Sequence, residues 1–230
     1  AAFDYVSFDD EGAGRALLRH LEGAGCGRLG LVTLTTALSP LARFLIDEAA
    51  RCGFRQVDLI DVAHDPSFDP AVALAVQERR HAWEAREEPQ FFAQRLVEGY
   101  LARGARPDCL FGINDYASAG AWLALSGRGL RVPEDVSLVG LSEGGAVFRA
   151  VTGRTLSGAA KDTARLSTTA TEVLLMKIGR ANPGGSRTAL PYRFQRGETV
   201  RPGLRLNLEA AVDPASPLPI PAARKPVEQE

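Results

Sequence analysis

Short apolar runs alternate with amphipathic helical stretches along most of this 230-residue chain, and that alternation limits the fold more than any single motif does. Tyr5–Phe8 and residues 29–35, 57–62, 109–113 and 136–141 are expected strands, with 190–196 as a sixth. Between them, residues 11–24 place Ala13, Ala16, Leu17, Leu21 and Ala24 on one helical face, and Gly25 and Gly27 close that helix. Pro40 after Ser39 opens a helix that Gly53 stops. Residues 71–103 are helical by composition and broken at Pro89. Asp115 begins a helix that turns Ala119, Trp122, Leu123 and Leu125 inward, and residues 163–178 form another, ended by Gly179. Strands that are apolar throughout, each followed by a helix, predict a parallel sheet covered on both faces, a doubly wound α/β fold. Ligands of such folds bind at the carboxyl ends of strands. Here those ends carry Asp9 and Asp10, Thr35 and Thr36, Asn114 and Asp115, and Ser142 and Glu143.

Composition removes several function classes. A net charge of −1 gives no global attraction to DNA or to an anionic membrane. No run approaches the ~20 apolar residues of a membrane helix. Residues 1–10 hold Asp4, Asp9 and Asp10 without a basic segment, unlike a signal peptide. Cys26, Cys52 and Cys109 match no metal or redox spacing and suit a reducing, cytoplasmic setting. His20, His64 and His81 lie in separate elements, His20 beside an apolar helix face. No nucleophile elbow, phosphate loop or dinucleotide fingerprint is present, so neither an enzyme nor a cofactor is expected. A folded unit is expected over residues 1–205 and a disordered, Pro-rich tail over 206–230. The charged 71–92 stretch reads as a solvated helix face with i,i+4 ion pairs.

Four segments in order carry a family likeness. Val132-Pro133-Glu134-Asp135-Val136-Ser137-Leu138-Val139-Gly140 is a Val-Pro-x-Asp turn feeding a buried strand that ends in Gly. Phe111-Gly112-Ile113-Asn114-Asp115 is a strand ending in Asn-Asp, followed by a helix with Ala117 and Gly120. Val6-Ser7-Phe8-Asp9 with Gly12 and His20-Leu21 matches a strand end and its next helix, and Arg196-Gly197-Glu198-Thr199 resembles a closing Arg-x-Ser-Thr. Together, across residues 6–199, the chain resembles LacI/GalR transcription regulators. The resemblance implies a periplasmic-binding-protein-like fold of two α/β lobes around a ligand cleft: mostly the C-terminal lobe, with an incomplete N-terminal lobe, over residues 1–205. It implies a sugar-like effector, a homodimer, and operator DNA contacted only through a helix-turn-helix outside these residues.

In that family a strand-end Asp, a helix Arg, the Asn of Asn-Asp and an Asp after the Gly-x strand end hold the effector's hydroxyls. Asp9 and Asn114 match the first and third, each with helix capping as its other reading. Asp115 shares the capping position with Asn114. Arg43 is the nearest helix Arg, followed by Phe44-Leu45-Ile46 instead of the family's Arg-x-x-Gly-Phe. At the fourth position Gly140-Leu141-Ser142-Glu143 replaces Gly-x-Asp-Asp, leaving a hydroxyl and, one residue on, Glu143. Three readings stand: a repressor's effector domain, a transporter's solute-binding protein, and a degenerate lobe that works through protein contacts.

Overall fold

The computed structural model describes residues 4–34, 39–65, 88–178 and 185–201. The elements are β1 (Tyr5–Phe8), α1 (Asp10–Gly23), β2 (Arg28–Val32), α2 (Pro40–Arg51), β3 (Gln56–Ile60), α3 (Pro89–Ala102), β4 (Cys109–Gly112), α4 (Asp115–Gly127), β5 (Ser137–Ser142), α5 (Ala146–Thr152), β6 (Ser157–Ala160), α6 (Thr163–Lys177), β7 (Arg187–Leu190) and β8 (Arg193–Gln195). Six strands form one sheet in the order β3-β2-β4-β5-β6-β8, and β1 pairs with β7 in a second, two-stranded sheet. All pairings are parallel except that of β6 with β8. Thr35, Thr36, residues 71–87 and the 206–230 tail lie outside the described residues.

The apolar strands are explained by burial on both faces. Leu29, Leu31, Cys109, Phe111, Val139 and Leu141 point to one face, against Leu17, Leu18 and Leu21 of α1 and Leu45 of α2. The alternate residues Val32, Leu110 and Leu138 point to the other, against Leu96 and Val97 of α3 and Leu125 of α4. The period of two divides the sheet's side chains between two cores. His20 is buried within the first of these layers, and burial lowers its pKa, as for a packing residue. α1 and α2 are tied by Arg15 Nε, which donates to the buried Glu48 at 2.9 Å.

Glycines set how closely the helices approach. Gly112, Gly140 and Gly158 are register partners across β4, β5 and β6. A Cβ on Gly112 or Gly140 would lie 2.2 or 2.3 Å from Ser118 Oγ, and one on Gly158 would lie 2.1 Å from the Gly140 carbonyl oxygen. The first turns of α4 therefore rest directly on strand backbone. Gly120, on the same helix, admits Ala93 and the Gln90 carbonyl of α3 equally closely.

The Val-Pro-Glu-Asp stretch is a structural lock. Its Val132–Pro133 bond is cis. Asp135 accepts from the Arg131 backbone N–H (2.8 Å), Nε (2.9 Å) and Nη2 (2.7 Å), which holds its carboxyl well below the usual range. Beyond β8, Thr199 is fully buried: its hydroxyl donates to the Leu138 carbonyl and accepts from Ser157 N–H, stitching the closing segment across β5 and β6.

Three expectations change. The single strand over 190–196 is two strands in different sheets, β7 and β8, because Pro191 has no N–H to continue a ladder and the chain crosses between sheets at Pro191-Tyr192. β6 and α5 were not anticipated: β6 (Ser-Gly-Ala-Ala) lacks the branched residues that mark a strand, and α5 is seven residues long. The sheet is mixed rather than wholly parallel, since β8 runs against β6.

α6 packs near β1 yet buries no residue, and Leu174, Leu175, Met176 and Ile178 are exposed. The two-stranded sheet and its helix are thus a partial layer beside a complete one.

Two stability measurements test this account. Gly158→Ala meets backbone, whereas Gly140→Ala meets chiefly a hydroxyl. Each should cost about 1–3 kcal/mol in urea unfolding, and adding Ser118→Ala should recover part of the Gly140→Ala loss and none of the Gly158→Ala loss. Purely additive losses would remove the glycine contact as the cause. The second concerns Asp108, which accepts from Gly27 N–H, Arg28 N–H and the Arg28 guanidinium. Burial pushes its pKa up, but these donors outweigh burial and the net value lies below the ordinary 3.8. Its stabilisation is therefore complete above pH 3.8 and is lost as pH falls through the lowered value. Asp108→Asn should cost about 1–3 kcal/mol at pH 7, with the difference from wild type narrowing in strongly acidic solution. A pH-independent difference would contradict the assignment.

Candidate functional site

The strand order reverses between β2 and β4, since β3 lies outside β2 and the later strands lie beyond β4. The crevice at the carboxyl ends of strands next to such a reversal is where open α/β sheets bind ligands. Asn114 and Asp115 follow β4 there, and on the adjacent β5 Ser142 is the last strand residue, with Glu143 just after it.

Asn114 is the N-cap of α4: its side-chain oxygen accepts from Ala117 N–H at 2.8 Å. That leaves Asp115, in the first turn, free of the capping duty. Its Oδ2 accepts from Glu143 N–H at 3.1 Å, joining the two strand ends, while its buried Oδ1 has no partner among the described residues. A buried carboxylate oxygen without a donor is costly, and a ligand hydroxyl or amine is the kind of group that removes the cost. Ser142 is buried, and its Oγ accepts from Gly144 N–H at 3.0 Å. Gly144 and Gly145 both have positive φ (113° and 73°), which turns the chain sharply into α5 and holds Ser142 beneath the turn. Glu143 points outward and pairs with Lys161 Nζ at 3.4 Å.

A second set of residues sits where the chain passes between the sheets. Asp9, ending β1, caps α1 by accepting from Gly12 N–H at 2.9 Å. The next residue, Asp10, accepts a short hydrogen bond from the Tyr192 hydroxyl. Burial, then that bond, then the charges of Asp10, Glu143 and Asp9 raise the Tyr192 pKa well above its ordinary value, so the phenol stays a donor. Lys161, which pairs with Glu143, begins another of these passages between the sheets. Lys161 N–H also donates to the Ser142 carbonyl at 2.8 Å.

The structure thus gathers Asn114, Asp115, Ser142 and Glu143, whereas Asp9 is occupied in capping α1. Arg43 stands apart, exposed in the first turns of α2, with no side-chain hydrogen bond or ion pair among the described residues. Tyr192 and Lys161 were missed in the sequence. Tyr192 follows Pro191 in what reads as the interior of a strand, and Lys161 follows a strand with no apolar signature. Among the described residues no group of three His, Cys, Asp or Glu side chains is arranged to hold a metal.

Residues 18–200 match the model of the periplasmic binding protein-like domain family. The chain belongs to that family. Solved structures with this fold include a LacI family transcriptional regulator from Arthrobacter sp. FB24 in complex with lactose (TM-score 0.65, 21% identity, 85% of this chain and 65% of that one). Others are a LacI family transcriptional regulator from Enterococcus faecium with bound ribose (0.63, 17%, 87% and 66%) and the dimeric Lac repressor with an 11-residue C-terminal deletion (0.61, 19%, 85% and 63%). The chain covers less than two thirds of the length of each. Among curated proteins, none matches the sequence. The likeness confirms the periplasmic-binding-protein-like fold, and the structural neighbours are mostly LacI-family regulators.

Because Asn114 caps α4, its removal affects stability as well as any ligand. Asn114→Ala should lower stability by about 1 kcal/mol in urea unfolding, and Asn114→Asp, which still caps, should lower it far less. Equal losses from the two substitutions would show that the cap is not what Asn114 supplies.

Proposed function

We propose that this periplasmic-binding-protein-like domain is the effector-sensing part of a LacI-type cytoplasmic transcription regulator and is not an enzyme. The observation that carries the reading is the buried Oδ1 of Asp115 at the strand reversal, without a partner among the described residues and flanked by Asn114 and Ser142. Carboxylate, amide and hydroxyl groups there suit a ligand rich in hydroxyl donors, and Asp9 and the exposed Arg43 are the remaining proposed contacts. Asp9, Asp10, Asp115 and Glu143 outnumber Lys161, which favours a neutral polyol or sugar over a sugar phosphate. The neighbours bound to lactose and ribose support the same class.

The mechanism that goes with this reading is a population shift: effector bound at the junction of the two sheets favours one relative arrangement, which a homodimer passes to DNA-binding segments outside these residues. Useful switching needs about 1–3 kcal/mol of coupling. No helix among the described residues is long and apolar enough to cross a membrane.

Thermal denaturation against neutral sugars, sugar phosphates and nucleosides tests the proposal. A neutral sugar at a hundred times its dissociation constant should add ~2.7 kcal/mol of stability. Asp115→Ala should abolish the response, since it removes the carboxylate. Silence from the folded protein across all three classes would defeat the sensing reading and favour a lobe that acts through protein contacts.

A further inference from the structure

A cavity of about 370 Å3 opens at the other end of the sheet, at the amino ends of β2, β4 and β5. Its apolar wall includes Leu101, Leu130 and Val136, and its rim carries Arg28, Arg106 and Arg128 together with Asp108 and Asp135. Counted by residue the charges nearly cancel, but the hydrogen bonds distribute them unevenly.

Both carboxylates are already occupied. Asp108 takes two backbone N–H groups on Oδ2 and the Arg28 guanidinium on Oδ1. Asp135 is filled in the same manner by Arg131. The two remaining guanidiniums have no carboxylate among the described residues. Arg106 Nη1 donates to the Ala105 carbonyl and Arg128 Nη2 to the Glu98 carbonyl, each at 3.0 Å. The Glu98 carboxylate is engaged instead by the Gln94 side-chain amide, one turn back on α3. A guanidinium has five N–H donors, so each arginine keeps most of its donors, and its whole charge, for another acceptor.

We propose that this cavity is a binding site for a small organic anion, a phosphate or carboxylate joined to an apolar body. Arg106 and Arg128 hold the oxyanion by charge-assisted hydrogen bonds, and Leu101, Leu130 and Val136 receive the apolar part. The volume falls within the range of small-molecule sites. The site lies at the opposite ends of the strands from Asp115, so it is separate from the sensing crevice and does not depend on it.

Phenyl phosphate is the probe, with inorganic phosphate and phenol as its two halves, titrated calorimetrically into the full chain in low salt. Phenyl phosphate should bind with a dissociation constant of about 1 mM or tighter, and more tightly than either half. Arg106→Gln with Arg128→Gln should weaken it about tenfold or more, and added salt should weaken it as well. Arg106→Gln alone, at an exposed loop residue, should already reduce affinity with an unchanged circular dichroism spectrum. Asn114→Asp should leave binding intact. The proposal is overturned by no saturable heat with phenyl phosphate, by binding that survives the double substitution, or by binding that Asn114→Asp abolishes. The first of these would mean that the arginines serve only the Ala105 and Glu98 carbonyls.

Discussion

The close approach of α4 to the sheet is the contact on which the rest of the molecule depends. It requires two adjacent strands in register without a Cβ at the same level, which Gly112 and Gly140 provide, while Gly158 gives the same clearance between β6 and the Gly140 backbone. Ser118 fills the space so left, fully buried, with its hydroxyl donating back to the Asn114 carbonyl. The helix cannot then start anywhere but directly over the strand ends. Asn114 becomes its cap, Asp115 is driven under the β5 turn, and the Glu143 N–H meets Asp115 Oδ2. A packing rule about backbone clearance thus delivers a carboxylate, an amide and a hydroxyl to one place. The opposite face of the same helix, through Gly120, sets the distance to α3, which lines the arginine-rimmed cavity at the other end.

The chain passes between the sheets three times: after Phe8, after Ala160 and at Pro191-Tyr192. Asp9 and Asp10, Lys161 and Asp162, and Tyr192 occupy those passages. Asp10–Tyr192 and Lys161–Glu143 tie the passages to each other and to the β5 turn, while Asp9 and Asp162 cap the helices that follow them. Passages of so few residues, cross-linked by polar side chains, are suited to absorbing small rotations between rigid layers. A ligand seated on Asp115 and Ser142 would lie beside them, so occupancy and relative angle of the layers would be linked by proximity, without a longer path through the core.

Most of the larger sheet was legible because burial on two faces leaves an unmistakable apolar run, as in Leu29-Gly30-Leu31-Val32 and Cys109-Leu110-Phe111. The family motifs were legible too, and three of them prove to be structural devices: Asp135 locks a turn, Thr199 stitches two strands, and Asn114 caps a helix. β6 escaped notice because the feature that makes it fit, small residues against the Gly140 backbone of β5, removes its strand signature. Tyr192 escaped because a strand ending and another beginning three residues later in a different sheet look like one strand. Capping, by contrast, was readable for Asp9 and ambiguous for Asn114 and Asp115. Sequence distance does not say which of two adjacent polar residues faces the helix and which faces the next strand.

The two ends of the six-stranded sheet differ in how their charges are used, and that difference orders the chemistry each end can bind. At the amino ends the carboxylates are spent on fixed partners, and the surplus is guanidinium. At the carboxyl ends the surplus is carboxylate, with one oxygen of Asp115 unmet and Glu143 only partly answered by a lysine 3.4 Å away. On the proposed readings a ligand with an anionic group would be repelled at the second end and drawn to the first, and a neutral hydroxyl donor would have the reverse preference. Ser142 sharpens this. Standing where the family pattern has an aspartate, it removes one charge from an already acidic crevice, so that end can hold a neutral polyol without demanding a cation.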